Sequence, residues 1–407
     1  MPCTMRRTML QKRKREENGP MLKMYTATTS QIDSPEDAVA EITAQLKDKQ
    51  LLKNTFGIAA CHTDYIETQT VAELRKALSF DFIGCTSFGS ASNIGGGTEQ
   101  LSLTVLTSDE LTFASAFSRE ITADGYAAPL DKVYEEAKEA LGGEPSFIFA
   151  FAPITTNLSG TQILKEFDRI SGGKPVFGTL ANDTSTDYQQ GGCFRNSEFH
   201  RYKAAVLLVK GDFKPRFYTA AIAAKNIQQQ NAVVTESTGY LISKINDIPL
   251  MDYFVSIGII QQKHLAAVTM IPLMVNLGDG TKPFANSMYG ISEQGAFCGC
   301  ETPVGAMVSF AEVDYNSIME TCDAALKEAL ADAAQNAAAG IIAIPCLSRP
   351  IVISPAVNDE IKKSLSIVGD KVPFSLLYSG GEFCPVYNKQ GGLVNRFHNL
   401  TYTLMVF

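Results

Sequence analysis

Three short strings in the last 63 residues carry the side chains best suited to hold a small polar molecule. They are Pro345-Cys346-Leu347-Ser348-Arg349, Tyr378-Ser379-Gly380-Gly381-Glu382 and Phe397-His398-Asn399-Leu400-Thr401. Together they offer a guanidinium, a carboxylate, an imidazole, an amide and several hydroxyls. A zwitterion such as an amino acid needs opposed groups of this kind, with Arg for its carboxylate and Glu or Asp for its ammonium. The competing reading is a buried Arg–Glu pair that locks loops together. Two further strings lie at the ends of apolar runs. Gly84-Cys85-Thr86-Ser87 can present backbone N–H and hydroxyl groups to a ligand or form a tight turn. Asn182 and Asp183, after Val176-Phe177-Gly178, can bind a ligand amine or form an Asx-turn.

Other chemistries are less well supplied. No G-x-x-x-x-G-K-[ST], H-E-x-x-H or G-x-S-x-G string occurs. Gly95-Gly96-Gly97 precedes a strand rather than a helix, so it reads as a hairpin or flexible loop. His62, His200, His264 and His398 are spaced unlike metal ligands. A Cys nucleophile, Cys85 or Cys346 acting near His398, is the enzymatic alternative, against which stands the frequency of inert buried thiols. The nine cysteines form no disulfide framework, and Cys298-Gly299-Cys300 lacks C-x-x-C spacing. Reduced thiols in a cytoplasmic protein follow.

The elements that position these strings show in the hydrophobic pattern. Ser34-Pro35 opens a helix to about residue 47, and residues 55–61, 80–84 and 146–151 are short apolar runs that read as buried strands. Helices are expected over 70–78, 132–141, from Ser159 or Thr161 to Gly172, over 249–257, over 314–338, and from Ser354-Pro355 to about 365. Strands 101–106 and 111–117 read as antiparallel neighbours, 194–199 and 204–209 as further strands, and 374–378 and 397–406 as the last two. A helix leading into an apolar strand recurs in both halves, at 132–151 and 314–345. The expected fold is mixed α/β with two domains, residues 25–232 and 233–407, each a mostly antiparallel sheet flanked by helices.

The bulk properties agree. The chain has 407 residues, 45% of them apolar, and a formal charge of -8. This length calls for about two domains, and the charge disfavours nucleic acid and anionic membrane. No run approaches the ~20 apolar residues of a membrane helix. Residues 1–24, with the basic cluster Lys12 to Arg15, read as a disordered tail or an upstream start before Met21 or Met24, against a nucleic-acid or nuclear-targeting patch.

Taken in order, these strings resemble the FIST family. Cys346 and Arg349, Gly381-Glu382, and Phe397-His398-Asn399 with Thr401 are similar to the C-terminal domain's C-x-x-R, Gly-Glu and F-H-N-x-T strings. Residues 245–254 (INDIPLMDYF) resemble that domain's opening. Gly84-Cys85-Thr86-Ser87 and Val176-Phe177-Gly178 with Asn182-Asp183 resemble strings of the N-terminal domain. Two departures stand out: Phe88-Gly89-Ser90 replaces a Gly-Glu continuation, and residues 283–289 (PFANSMY) lack an Arg. The resemblance implies a sensory unit for amino acids or similar small metabolites, working with a histidine kinase, cyclase or chemoreceptor. It implies no enzyme and no resident cofactor, haem bound through His398 or His62 being the alternative. The expected ligand set is Arg349, Glu382, His398, Asn399, Thr86, Cys85, Cys346, Tyr378, Asn182 and Asp183.

Overall fold

The computed structural model describes residues 22–185, 188, 190–258 and 272–407, the side chains of 229–231 excepted. Most of the basic tail, and His264, lie outside the described residues.

One pattern of elements occurs three times. The first unit runs β1 (Leu22–Thr29), α1 (Pro35–Leu46), β2 (Asn54–Cys61), α2 (Asp64–Glu67), α3 (Thr70–Ala77), β3 (Phe82–Thr86), the hairpin β4 (Ser90–Ser92) and β5 (Gly95–Gly97), then β6 (Leu101–Ser108). The second runs β7 (Thr112–Phe117), α4 (Ala127–Leu141), β8 (Phe147–Ala152), α5 (Gly160–Ser171), β9 (Val176–Leu180), the hairpin β10 (Cys193–Arg195) and β11 (Glu198–His200), then β12 (Ala205–Lys210). The third starts at β13 (Arg216–Ala220) and is interrupted by an inserted layer. That layer comprises β14 (Ile227–Thr238), β15 (Leu241–Ile245), β16 (Ile248–Pro249), α6 (Leu250–Ser256), β17 (Leu273–Asn276), β18 (Phe284–Asn286), β19 (Met288–Ser292), β20 (Gly295–Cys298) and β21 (Met307–Ala311). The third unit resumes with α7 (Tyr315–Asn336), β22 (Ile341–Pro345), α8 (Ser348–Val352), α9 (Asp359–Val368), β23 (Phe374–Leu377), the hairpin β24 (Glu382–Tyr387) and β25 (Leu393–His398), and β26 (Tyr402–Val406).

The strand orders match: β1-β6-β2-β3, β7-β12-β8-β9 and β13-β26-β22-β23. In each, the two inner-numbered strands pair in parallel and the rest antiparallel. Each hairpin leaves its own unit. The hairpin of the first unit pairs through β4 with β23, that of the second through β10 with β3, and that of the third through β24 with β9. The exchange is cyclic, so each sheet reaches six strands by borrowing two.

Alternation along the strands explains the layers. Phe147, Phe149 and Phe151 of β8 point into a core shared with Phe56 and Ile58 of β2 and Ile342 and Ile344 of β22. The intervening Ile148 and Ala150 pack on α4 and α5 with Leu130, Val133 and Phe167. A strand buried on both faces reads as a continuous apolar run, which is why residues 146–151 carry no polar alternation. The outer faces of the first and third sheets are covered by their own helices in the same way.

Several elements differ from the sequence reading. Strands β6 and β7 are not neighbours: β6 sits between β1 and β2, and β7 pairs with β12 in the next sheet. The Ser108 hydroxyl accepts from the Glu110 and Leu111 N–H groups, turning the chain at that corner. Residues 194–199 form a hairpin rather than one strand, with Asn196 at φ 55°. Residues 397–406 likewise break at Leu400, φ 56°, and β25 and β26 lie in different sheets. The helix expected from Ser354 starts at Asp359, where Asp359 and Glu360 meet the positive helix end. Gly95-Gly96-Gly97 does form the expected hairpin, as its arm β5, and the difference lies only in that hairpin's docking on another unit's sheet. The boundary expected at 232/233 falls inside β14.

Candidate functional site

The ends of β3, β9 and β23 converge. Each makes the same bond to its parallel neighbour: Ser87 N–H to Cys61 O (2.9 Å), Ala181 N–H to Ala152 O (2.8 Å) and Ser379 N–H to Pro345 O (2.8 Å). Bonds between units then run Asn182 N–H to Thr86 O (3.2 Å) and Gly380 N–H to Leu180 O (2.9 Å). At the third junction a side chain is spliced in. The fully buried Asn182 amide accepts from Phe88 N–H at 2.7 Å and donates to Tyr378 O at 2.7 Å. The Ser87 hydroxyl also donates to Tyr378 O, at 2.9 Å.

Beside this junction lies a buried polar cluster built on Glu382, the first residue of the exchanged strand β24. Its Oε2 accepts from Thr401 N–H at 3.3 Å, and its Oε1 has no hydrogen-bond partner among the described residues. The Cys346 thiol and the Ser379 hydroxyl face the carboxyl. Ser379 Oγ accepts from Thr179 Oγ1 (2.6 Å) and from Gly381 N–H (2.9 Å). Burial pushes the Glu382 carboxyl well above the usual carboxylate range, and burial with Glu382 nearby pushes the Cys346 thiol up.

The roof of the cluster comes from the inserted layer. Tyr289 of β19 leaves 55% of its surface exposed while its hydroxyl turns inward and accepts from Asn399 Nδ2. The Asn399 Oδ1 accepts from Ser287 N–H at 3.2 Å, so one amide ties the inserted sheet to the chain between β25 and β26. Burial, then Cys346, pushes the Tyr289 phenol well up, and Cys300 and Glu382 add to it.

Thus Cys346, Glu382 and Asn399 come together, while Thr86, Asn182 and the Tyr378 carbonyl form the neighbouring strand-end junction. The remaining expected residues sit elsewhere. Arg349 is fully buried and paired with Glu360, not Glu382: its Nη2 lies 2.7 Å and its Nε 2.8 Å from Glu360 Oε1. Its Nη2 also donates to Ile318 O and Thr321 Oγ1, both at 3.0 Å. Tyr378 OH donates to Glu360 Oε2 at 3.1 Å, joining this lock to the strand-end junction. Cys85 packs in the shared core. Asp183 accepts from Ser185 N–H (2.6 Å) and Gln190 N–H (2.9 Å), an Asx-type turn. His398 Nε2 lies 3.1 Å from Cys384 O, Nδ1 has no partner among the described residues, and burial lowers its pKa to about 3.

Tyr289, Ser379 and Cys300 escaped the sequence reading as site residues. Ser379 stands two residues after the end of β23, within the same string as Glu382, while nothing local marks Tyr289. The two imidazoles expected for haem each make a hydrogen bond through one ring nitrogen. His398 faces a carbonyl and His62 Nε2 lies 3.1 Å from Thr184 Oγ1. Among the described residues no three His, Cys, Asp or Glu side chains are placed to hold a metal ion. The eight described cysteines are unpaired and buried, an environment that disfavours the thiolate a nucleophile needs.

A neutral Glu382 has a measurable signature. A carboxyl whose folded pKa exceeds its unfolded value stabilises fully below the unfolded pKa, and that contribution fades as pH rises toward the folded value. Glu382→Gln has no such loss. Its stability relative to the unsubstituted chain should therefore climb between those two pKa values, by about 1.4 kcal/mol per pH unit. Urea unfolding at pH 5, 6 and 7 measures it, and a pH-independent difference would contradict a neutral Glu382.

Among curated proteins none matches the sequence. Among solved structures, the cyanuric acid hydrolase from A. caulinodans aligns at 10% identity over 95% of this chain and 98% of that chain, with a TM-score of 0.36. A second cyanuric acid hydrolase aligns at 8% identity over 95% of this chain and 100% of that chain, TM-score 0.33. PurLQS from Thermotoga maritima aligns at 10% over 95% and 72%, TM-score 0.21. The FIST N domain matches residues 55–248 and the FIST C domain residues 250–385, their junction falling within the inserted layer, and the chain therefore belongs to the FIST family of sensory, ligand-binding signalling domains.

Proposed function

We propose that this chain senses a small polar metabolite, an amino acid or a close relative, at the Glu382–Cys346–Asn399 cluster beneath Tyr289. We further propose that it acts in the cytoplasm through a separate partner such as a histidine kinase, cyclase or chemoreceptor. The observation that carries the reading is Glu382, a fully buried carboxyl whose Oε1 has no partner within 3.5 Å among the described residues and faces only the Cys346 thiol and the Ser379 hydroxyl. An unsatisfied buried group costs about 1–3 kcal/mol, and a ligand ammonium reaching it both supplies the bond and favours the ionised carboxylate. Asn399 and Tyr289 are the groups that a ligand entering there must rearrange, and they tie the inserted layer to the rest. A ligand shifts such an equilibrium only by its different affinity for the two arrangements. Arg349 and Tyr378 act from behind, holding the strand end.

The test is thermal unfolding against a panel of amino acids, amines and carboxylic acids. A ligand at a hundred times its Kd adds about 2.7 kcal/mol, enough for a clear rise in Tm. Glu382→Gln and Tyr289→Phe are expected to abolish the rise. If no compound shifts the transition, or if both variants respond like the unsubstituted chain, the assignment is wrong.

A further inference from the structure

A cavity of about 590 Å³ opens between α5, β25 and the inserted layer. Two of its charged pairs are closed on themselves. Lys165 Nζ lies 2.6 Å from Glu301 Oε2, and Arg396 pairs with Asp279 while its guanidinium stacks over Phe284 at 5.6 Å. Two polar groups remain incompletely served. Asp168, half-buried in the cavity wall, takes one bond of 2.6 Å from the neutral Asn395 amide. Burial raises its carboxyl pKa despite that bond and the nearby Arg396. Arg396 Nε is buried with no partner among the described residues. With two cations and three acids, the cavity holds one uncompensated negative charge. Leu277, Phe284, Val394 and Val304 supply apolar wall between these groups.

We infer that this cavity binds a small organic monocation that also carries an oxygen acceptor and a short apolar chain. Its ammonium meets Asp168, its oxygen accepts from Arg396 Nε, and its chain lies on the apolar wall. A half-buried acid with no ion-pair partner of its own favours a cationic partner, and a net negative cleft raises the local concentration of cations over anions. The cavity size is that of small-molecule sites generally. The cavity adjoins the Glu382 cluster at Cys300 but is not lined by Glu382, Cys346, Asn399 or Tyr289, and its assignment does not rest on the sensing role proposed for that cluster.

Leucinamide has these three features and 4-methylpentanoate lacks the ammonium. Calorimetric titration of the full chain at pH 7 should show one-to-one binding of leucinamide, with binding of 4-methylpentanoate at least ten-fold weaker. Asp168→Asn should weaken leucinamide at least ten-fold. Val304→Trp, at a residue 60% exposed on the rim, should block it without disturbing the fold, and Glu382→Gln should leave it unchanged. The proposal is overturned if leucinamide fails to bind at millimolar concentration or if the carboxylate binds as well. It is equally overturned if Asp168→Asn and Val304→Trp both bind normally. Binding lost in Glu382→Gln but kept in Asp168→Asn would place leucinamide at the Glu382 cluster instead, and would support that reading alone.

Discussion

Arg349→Met is expected to destabilise the chain by about 3–5 kcal/mol, the cost of leaving one partner of a buried ion pair uncompensated. Neither Arg349 nor Glu360 has any exposed surface, and the guanidinium also serves Ile318 O and Thr321 Oγ1. Methionine fills most of the volume, so the loss measured is mainly electrostatic and hydrogen-bonded rather than a cavity. Urea unfolding gives the value, and the Arg349→Met/Glu360→Met double variant separates the causes. Removing both charges should restore much of the stability, since an apolar pair of similar volume often matches a buried ion pair. A single-variant cost under about 1 kcal/mol, well below that range, would show that the lock contributes little.

Gly178→Ala is expected to be comparably damaging for a different reason. A Cβ built at Gly178 would stand 1.8 Å from Ala150 O in the parallel neighbour β8. Neither atom is a flexible side-chain end, so strands β8 and β9 must part or shear. Overpacking of this kind costs about 1–3 kcal/mol and sometimes more, and a backbone clash in a central strand pair belongs at the upper end. Gly84 repeats the situation in the first unit, 2.1 Å from Ala59 O. Gly172 is the control: at φ 66° a methyl added there would meet nothing within 4 Å, so Gly172→Ala carries only backbone strain, on the order of 1 kcal/mol. If Gly178→Ala unfolds in urea no more easily than Gly172→Ala, the two strands have slack that the packing does not suggest.

The elements were legible where their signals are local. Ser159 with Gln162 forms a capping box, as the hydroxyl start of that helix suggested. The apolar runs of β2, β8 and β22 form strands where their composition places them. What the sequence hid is non-local. A hairpin carries its own turn, yet nothing within residues 90–97 or 382–398 says which sheet it will join. For that reason β6 and β7 looked like partners, and β25 and β26 looked like one strand. The site shows the same division. Strand-end strings pointed to Glu382, Cys346 and Asn399, but the counter-ion of Arg349 depends on where α9 packs, and Tyr289 arrives from a layer inserted between β13 and α7.

Cyclic hairpin exchange also sets an order in time. Ser92 must wait for Ser375 before its hairpin can pair, a separation of about 280 residues. At ribosomal rates of about 5–20 residues per second that is roughly 15–60 s. Throughout that interval the nascent first unit carries a hairpin without its dock, the kind of exposed strand that recruits chaperones or aggregates. A premature stop anywhere before β23 would therefore leave even the earliest-made unit incomplete.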